Sequence, residues 1–311
     1  MKEIIPQPDK ELIIRELSPD KFIRKTNYAD NEIYIVTASN SPVVMQEIGR
    51  LRELSFRTAG GGTGKDCDID DYDTGDNPYR QLIVWNPLDK EIVGGYRFKT
   101  GSDIKKNEKG EYLIATAGLF ALGKKFQEEY MPYTIELGRS FVQPLYQPTV
   151  DSRKGLFSLD NLWDGLGALI VDNPEMKYFF GKVTMFPDFN KLARDYILFF
   201  LKKYFPDNEN LVYPKEALSY HNKEELLSSA FVGIDGYTDA YKKLNTLVRA
   251  LDEHIPPLVS AYVNLSPTMK SFGTSLNATF GQVEETAILV TIADIFEAKS
   301  ERYIKSYTRY K

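Results

Sequence analysis

The run Ile135-Glu136-Leu137-Gly138-Arg139-Ser140-Phe141-Val142 sets the tightest condition on how this chain can fold. Tyr133, Ile135 and Leu137 alternate with Thr134, Glu136 and Gly138, the period of a half-buried strand. Inside it stand a carboxylate and a guanidinium, Glu136 and Arg139. Charged groups are costly in such a place unless they are paired or used. A structural Glu136–Arg139 pair at a strand end meets that condition. A functional pair meets it too, and further Arg and Asp groups upstream, in a matching order, give the second reading its weight.

The 311 residues suffice for one large domain, and a hydrophobic fraction of 42% allows it a real core. Aromatics at 13% suggest roomy apolar surfaces, either core or a groove for a long apolar ligand. The net charge of −5 provides no general basic footprint for nucleic acid, so an acidic partner needs a local basic patch. Cys67 is the one cysteine, which excludes an internal disulfide framework and points to a reducing compartment. Met1–Pro6 shows no signal-peptide apolar region, and no apolar run approaches the ~20 residues of a membrane span. A cytoplasmic protein is expected, with room for peripheral contact at the inner membrane surface.

Patterning predicts a loosely packed arm over 1–31, a strand over 32–37 and a helix from Pro42 to about Arg57, with Ser41 as N-cap. Gly60-Gly61-Gly62-Thr63-Gly64-Lys65 is not a phosphate loop: Ala59 stands where the first glycine belongs, and Asp66 follows the lysine. A flexible, lid-like loop is expected. Asp68-Ile69-Asp70-Asp71-Tyr72-Asp73 lacks the glycine of a calcium loop. It reads as a solvated acidic turn or as a carboxylate pair that holds an amine or an arginine. Residues 81–87 and 91–99 predict an antiparallel hairpin, with a bulge or close backbone approach at Gly94-Gly95.

A helix is predicted over 119–130, then the opening strand. A helix capped by Ser158 follows, with Leu159, Leu162, Trp163, Leu166, Leu169 and Ile170 on one stripe. A strand over 177–186 and a helix over 188–205 come next. Residues 207–250 read as a helical insertion with helices at 223–229 and 237–251, before a last strand over 287–292 and a charged tail. The order predicts one α/β domain over 1–311, a mixed sheet with helices on both faces.

His221 and His254 are the only histidines, and neither sits in a motif for a nucleophile pair or a zinc site. The chemistry left is that of carboxylates, arginines and backbone amides. Direct acyl transfer from a thioester to an amine fits it. The ammonium must lose a proton to a carboxylate or a relayed water, and the oxyanion needs an amide donor from a splayed or bulged strand. A phosphate-bearing thioester carrier favours a helix N-terminus with basic residues. Ser158, Arg153 and Lys154 meet that need.

Arg52-x-x-x-Phe56, Asp70-x-x-Asp73, Arg97 and Glu136-x-x-Arg139 resemble, in order, the signature of acyl-homoserine-lactone synthases, GNAT-fold enzymes that use acyl-acyl carrier protein. Glu136–Val142, Leu162-Trp163-Asp164-Gly165-Leu166-Gly167, Ile255–Tyr262 and Phe280–Thr286 are more similar to a sister branch, the bacterial ornithine- and glycine-lipid N-acyltransferases, also labelled hemolysins. The long Gly60–Lys65 loop is similar to the Bacteroidetes-type glycine N-acyltransferases of that branch. The resemblance covers about 43 to 295.

The resemblance implies a GNAT-like three-layer fold with a central mixed, mostly antiparallel sheet. It implies transfer of a long-chain, 3-hydroxylated acyl group from acyl carrier protein to a small amino acid, glycine first, in aminolipid synthesis. No cofactor is implied beyond the acyl-phosphopantetheine thioester, and no metal. Glu136, Arg139 and Arg97 take catalytic roles, with Glu136 the base and Arg139 paired to it or to a neighbouring carboxylate. Arg52, Phe56, Asp70, Asp73, Ser140, Phe141 and Trp163 take substrate-binding roles. Asp70 and Asp73 hold the amine or orient Arg52 and Arg97, either of which binds the acceptor carboxylate. Arg153, Lys154 and Ser158 hold the carrier's phosphate, and Arg194, Lys202 and Lys203 form a docking patch. Ser152–Phe157 departs from the GNAT pyrophosphate loop, which speaks against acetyl-CoA. Ornithine or a lysolipid as acceptor, or a non-enzymatic membrane-active protein, are the alternatives.

Overall fold

A computed structural model describes residues 1–309. The N-terminal arm is structured, against expectation. Helix α1 (Lys10–Glu16) buries Ile13, and strand β1 (Phe22–Lys25) pairs with β2 (Glu32–Val36). Both elements are short and carry few apolar anchors, so no period shows in the sequence. Helix α2 (Pro42–Thr58) starts at the predicted proline, but Ser41 makes no cap bond. The Glu16 carboxylate caps it instead, accepting from the Val43 and Val44 amides at 3.1 and 2.8 Å. An anion there also suits the positive end of the helix dipole.

Helix α3 (Asp71–Thr74) precedes the expected hairpin of β3 (Arg80–Asn86) and β4 (Glu91–Thr100), which has a bulge at Val84/Trp85. A Cβ on Gly94 would lie 2.4 Å from the Phe141 carbonyl, so the close approach is real. The predicted 119–130 helix is replaced by β5 (Phe120–Leu122) and a short π-helical turn over Phe126–Tyr130. The reason is non-local: β5 pairs with β8 (Val212–Pro214), far downstream.

Between those two strands the chain forms β6 (Thr134–Val142), α4 (Ser152–Gly155), α5 (Ser158–Asp172), β7 (Tyr178–Met185) and α6 (Lys191–Tyr204). The 207–250 stretch holds β8, α7 (Glu224–Ser229) and α8 (Tyr237–Arg249), with α8 packed on α6. Helix α9 (Pro257–Val263), β9 (Lys270–Asn277), β10 (Val283–Thr291) and α10 (Glu297–Tyr303) complete the order. Strand β9 escaped the sequence reading because it is a polar edge strand with a glycine at its centre. The charged tail is helical and docks on α5 with Tyr303 buried.

The main sheet runs β1-β2-β3-β4-β6-β7-β10-β9, antiparallel except at β6–β7. Alternation divides its side chains. Leu82, Val84, Ile135, Leu137, Phe179 and Ile288 join the large cluster beneath α5, α6 and α9. The opposite face carries two separate clusters. Ile83, Trp85 and Phe141 pack under α2, while Phe180, Ala287 and Leu289 pack beside β5. Gln81, Arg97, Lys99 and Glu136 fall on this second face by the same alternation, so a polar belt fills the gap between its two apolar patches.

The Leu162–Gly167 motif is architectural. Asp164 accepts from the Asn27 amide at 2.8 Å and its side chain at 2.6 Å, and burial pushes its carboxyl up to about 6. A Cβ on Gly167 would lie 1.9 Å from the Tyr303 carbonyl. Gly167→Ala is therefore expected to displace α10 and to cost about 1–3 kcal/mol or more, the range of overpacked cores, in chemical denaturation.

Candidate active site at the β6–β7 fork

Strands β6 and β7 pair only at Thr134–Tyr178, Ile135–Phe179 and Glu136–Phe180. Beyond that point β6 stays with β4 and β7 with β10, so the sheet opens into a fork at Leu137 and Gly181. Arg139 sits on the far side of the fork at φ 51°, the left-handed region, beside the register shift against β4. That conformation is unfavourable for a residue with a Cβ. A cavity of about 70 Å³ occupies the fork. Leu137, Leu258 and Tyr262 line it from the large cluster, and Arg97, Thr116, Arg139, Lys182 and Phe280 from the polar belt. It thus reaches both faces of the sheet.

The predicted charges converge, in pairings the sequence does not show. Asp73 accepts from Arg52 Nη1 at 3.1 Å and from Arg97 Nη1 at 3.2 Å. Asp70 takes Arg97 Nη1 at 2.7 Å and caps α3, whose capping box it closes with Asp73. Arg139 pairs with Asp68 at 2.8 Å, reaches Asp70 at 3.7 Å and lies 4.1 Å above the Phe280 ring. Burial works to raise the Asp73 carboxyl, but Arg52 and Arg97 outweigh it and hold the group well below the usual carboxylate range. Burial works to lower Arg97, yet Asp73 and Asp70 keep it firmly charged. Asp70 and Asp73 therefore orient arginines. Arg52, fully buried between Asp73 and Gln81, does not line the cavity, so it is not the carboxylate binder of the sequence reading.

Glu136 and Arg139 do not pair. Glu136 is 1% exposed and lies behind the cavity wall. Its Oε1 accepts from the Thr116 amide at 3.0 Å and the Thr116 hydroxyl at 2.7 Å, and its Oε2 from the Tyr79 hydroxyl. Tyr79 is positioned by the Ala115 amide at 2.9 Å. Burial first, then Glu136, pushes the Tyr79 hydroxyl far above its ordinary range, so it remains a donor. Lys99, opposite Glu136 in the β4–β6 register, donates to the Asn77 carbonyl at 2.5 Å.

Other predicted residues fall at varying distances from the fork. Phe56 and Ser140 line the cavity, Phe56 meeting Phe280 edge-on at 5.0 Å. Phe141 is buried under α2. Trp163 stands one layer back, edge-on to Tyr262 at 5.3 Å. Ser158 is the first residue of α5 and caps nothing; its hydroxyl donates to the Lys154 carbonyl at 3.1 Å. Lys154 pairs with Asp89 at 2.7 Å, while Arg153 is exposed. None of these three lines the cavity. Arg194 is 3% exposed and held by Asp195 and Glu284, each at 2.7 Å, so it is no docking residue. The Gly60–Lys65 loop is pinned rather than lid-like. Glu53 accepts from the Thr63 and Gly64 amides at 3.0 and 2.8 Å, and Gly61 packs on Gly281.

The sequence reading missed Tyr79, Thr116, Lys182 and Glu285. Lys182 and Glu285 pair at 2.6 Å within the cavity lining. Both are charges inside strand-period runs, so the rule that singled out Glu136 applied to them as well. Tyr79 and Thr116 carry no such signal, because only folding brings them to Glu136.

The chain is 52% identical over 309 residues to a glycine N(alpha)-acyltransferase of Phocaeicola vulgatus, covering 99% of this chain and 94% of the relative. The chain belongs to the glycine N(alpha)-acyltransferase family. A relative of the same name from Bacteroides thetaiotaomicron is 53% identical over 307 residues, covering 99% and 91%. Residues 51–151 match the acetyltransferase (GNAT) domain model. A solved N-acyl amino acid synthase from uncultured soil microbes, FeeM, aligns over 85% of this chain and 93% of its own, with 8% identity and a TM-score of 0.37. The enzyme is an N-acyltransferase of GNAT-like α/β fold.

Proposed function

We propose that the enzyme moves a long, 3-hydroxylated acyl group from the phosphopantetheine thioester of acyl carrier protein to the amine of glycine, without a further cofactor, in aminolipid synthesis. The observation that carries this is the charge inventory at the fork. Arg52, Arg97 and Arg139 are matched by Asp68, Asp70 and Asp73, and Lys182 by Glu285. A site neutral in this way suits a neutral zwitterion. Glu285, the one carboxylate of the lining among the described residues, is already held by Lys182, which leaves none there for the side-chain ammonium of ornithine.

The geometry supports the following chemistry. The thioester enters the fork, and backbone amides where β6 parts from β7 stabilise the oxyanion. The acceptor ammonium lies against the Thr116 hydroxyl, which passes a proton to Glu136 Oε1 as it takes one from the amine. The amine nitrogen then bonds to the acyl carbon, the tetrahedral intermediate gives up its second nitrogen proton to solvent, and the carbon–sulfur bond breaks as the thiolate leaves with the first proton, returned from Glu136. No helix of the described residues is long and apolar enough to cross a membrane. Exposed Leu145, Val150 and Leu156 around Arg153 support peripheral contact with an inner-membrane surface.

Purified enzyme with 3-hydroxyacyl carrier protein and a panel of amino acids, read by mass spectrometry, is expected to yield N-acylglycine. No N-acyl product with any amine overturns the reading, and preferential acylation of ornithine moves the acceptor. The Michaelis constant for the carrier should rise with salt, because surface contacts with an acidic partner are screened.

A further inference from the structure

We propose that Arg97 Nε, set across the β4–β6 register from Gly138, is the anchor for the acceptor's carboxylate, an inference that rests on the amino-acid acceptor proposed above. Arg97 is 2% exposed. Its Nη1 is committed to Asp70 and Asp73, and its guanidinium carbon stands 5.3 and 5.1 Å from the Tyr72 and Tyr79 ring centres. Its Nε is buried without a hydrogen-bond partner. A buried donor left unmade is costly, so a position that keeps one is a position waiting for an acceptor.

The other cations of the lining differ. Arg139 Nε likewise makes no well-aligned hydrogen bond, but Asp68 Oδ2 stands 2.8 Å from it, and Lys182 has Glu285 at 2.6 Å. Arg52 also keeps a buried Nε, but outside the cavity.

Gly138 explains how the donor is reached. It lies directly across the β4–β6 register from Arg97, and both line the cavity. A Cβ there would sit 3.6 Å from Arg97 Nε and 3.7 Å from its Cγ, an ordinary contact that would cover the N–H without a clash. Tyr79 ties this anchor to the proton path: its ring faces Arg97 and its hydroxyl binds Glu136, which also holds Thr116. Arg97 and Thr116 both line the cavity, and the acceptor would bridge them, carboxylate on Arg97 and amine on Thr116.

The test is Gly138→Ala, assayed with glycine and with glycinamide, which keeps the amine and removes the carboxylate. The preference for glycine over glycinamide is expected to fall at least tenfold, through the Michaelis constant for glycine. In the wild type, acetate should compete with glycine and acetamide should not, a readout that needs no variant to fold. An unchanged preference, or absence of competition by acetate, overturns the anchor. A loss of turnover with both acceptors alike would assign Nε to the thioester and overturn it too. Failure of the wild type to acylate any amine is a different result and removes the proposed function itself.

Discussion

Glu136→Gln is expected to lower acyl transfer to glycine by about 10²–10⁴, the range general acid–base catalysis commonly supplies. The carboxylate accepts from three protein donors, two on Thr116 and one on Tyr79. Glutamine keeps one acceptor oxygen but replaces the other with an amide group and cannot take up a proton. The proton path through the Thr116 hydroxyl ends there. Thr116→Val should reproduce most of the loss, and Thr116→Ser should restore much of it, because only the hydroxyl is needed. Turnover numbers from single-time-point mass spectrometry across pH check this. Near-normal rates for Glu136→Gln would place the residue in a purely structural role.

Asp73→Asn should be the most destabilising change in the site, by about 3–5 kcal/mol, because it leaves the buried Arg52 and Arg97 short of a counter-charge. Against a typical total of about 5–15 kcal/mol this threatens folding itself. Urea denaturation followed by circular dichroism measures it. The pH dependence has a definite sign. Arg52 and Arg97 hold the folded-state carboxyl below its unfolded value of about 3.9. Its contribution is therefore present in full above that value and declines as the pH falls below it. The wild type should lose stability across this acid range, and the Asn variant should show a shallower slope there.

Both expectations concern residues that the sequence singled out, yet their partners were only partly legible. Arg52, Asp73 and Arg97 stood out as charges in otherwise patterned segments, and their convergence follows from α2, α3 and β4 meeting over one face of the sheet. Glu136 stood out for the same reason, but its proximity to Arg139 in sequence misled. Glu136 sits where β6 still pairs with β7, whereas Arg139 sits past the fork at positive φ, turned toward Asp68. Three residues apart in a regular strand, two side chains point to opposite faces, and the bulge sets Arg139 toward Asp68 rather than Glu136. Tyr79 and Thr116 were illegible for a plainer reason. Each is an ordinary polar residue outside any periodic run, and its meaning depends on a contact made across the fold.

Local chemistry alone determined much of this enzyme. Period-two and helical patterning marked the central hairpin, β6, β7 and the long helices, because side-chain burial imposes those periods within a single element. Unpaired charge in an apolar run marked the site, because charge is costly to bury. Tertiary structure decided the rest. It set the opening of β6 from β7, the division of the second face into two apolar patches with a polar belt between them, and the choice of Thr116 and Tyr79 rather than Arg139 as the partners of Glu136. Those outcomes depend on which strands pair and where pairing stops, a balance of contacts among residues far apart in the chain that no local window contains.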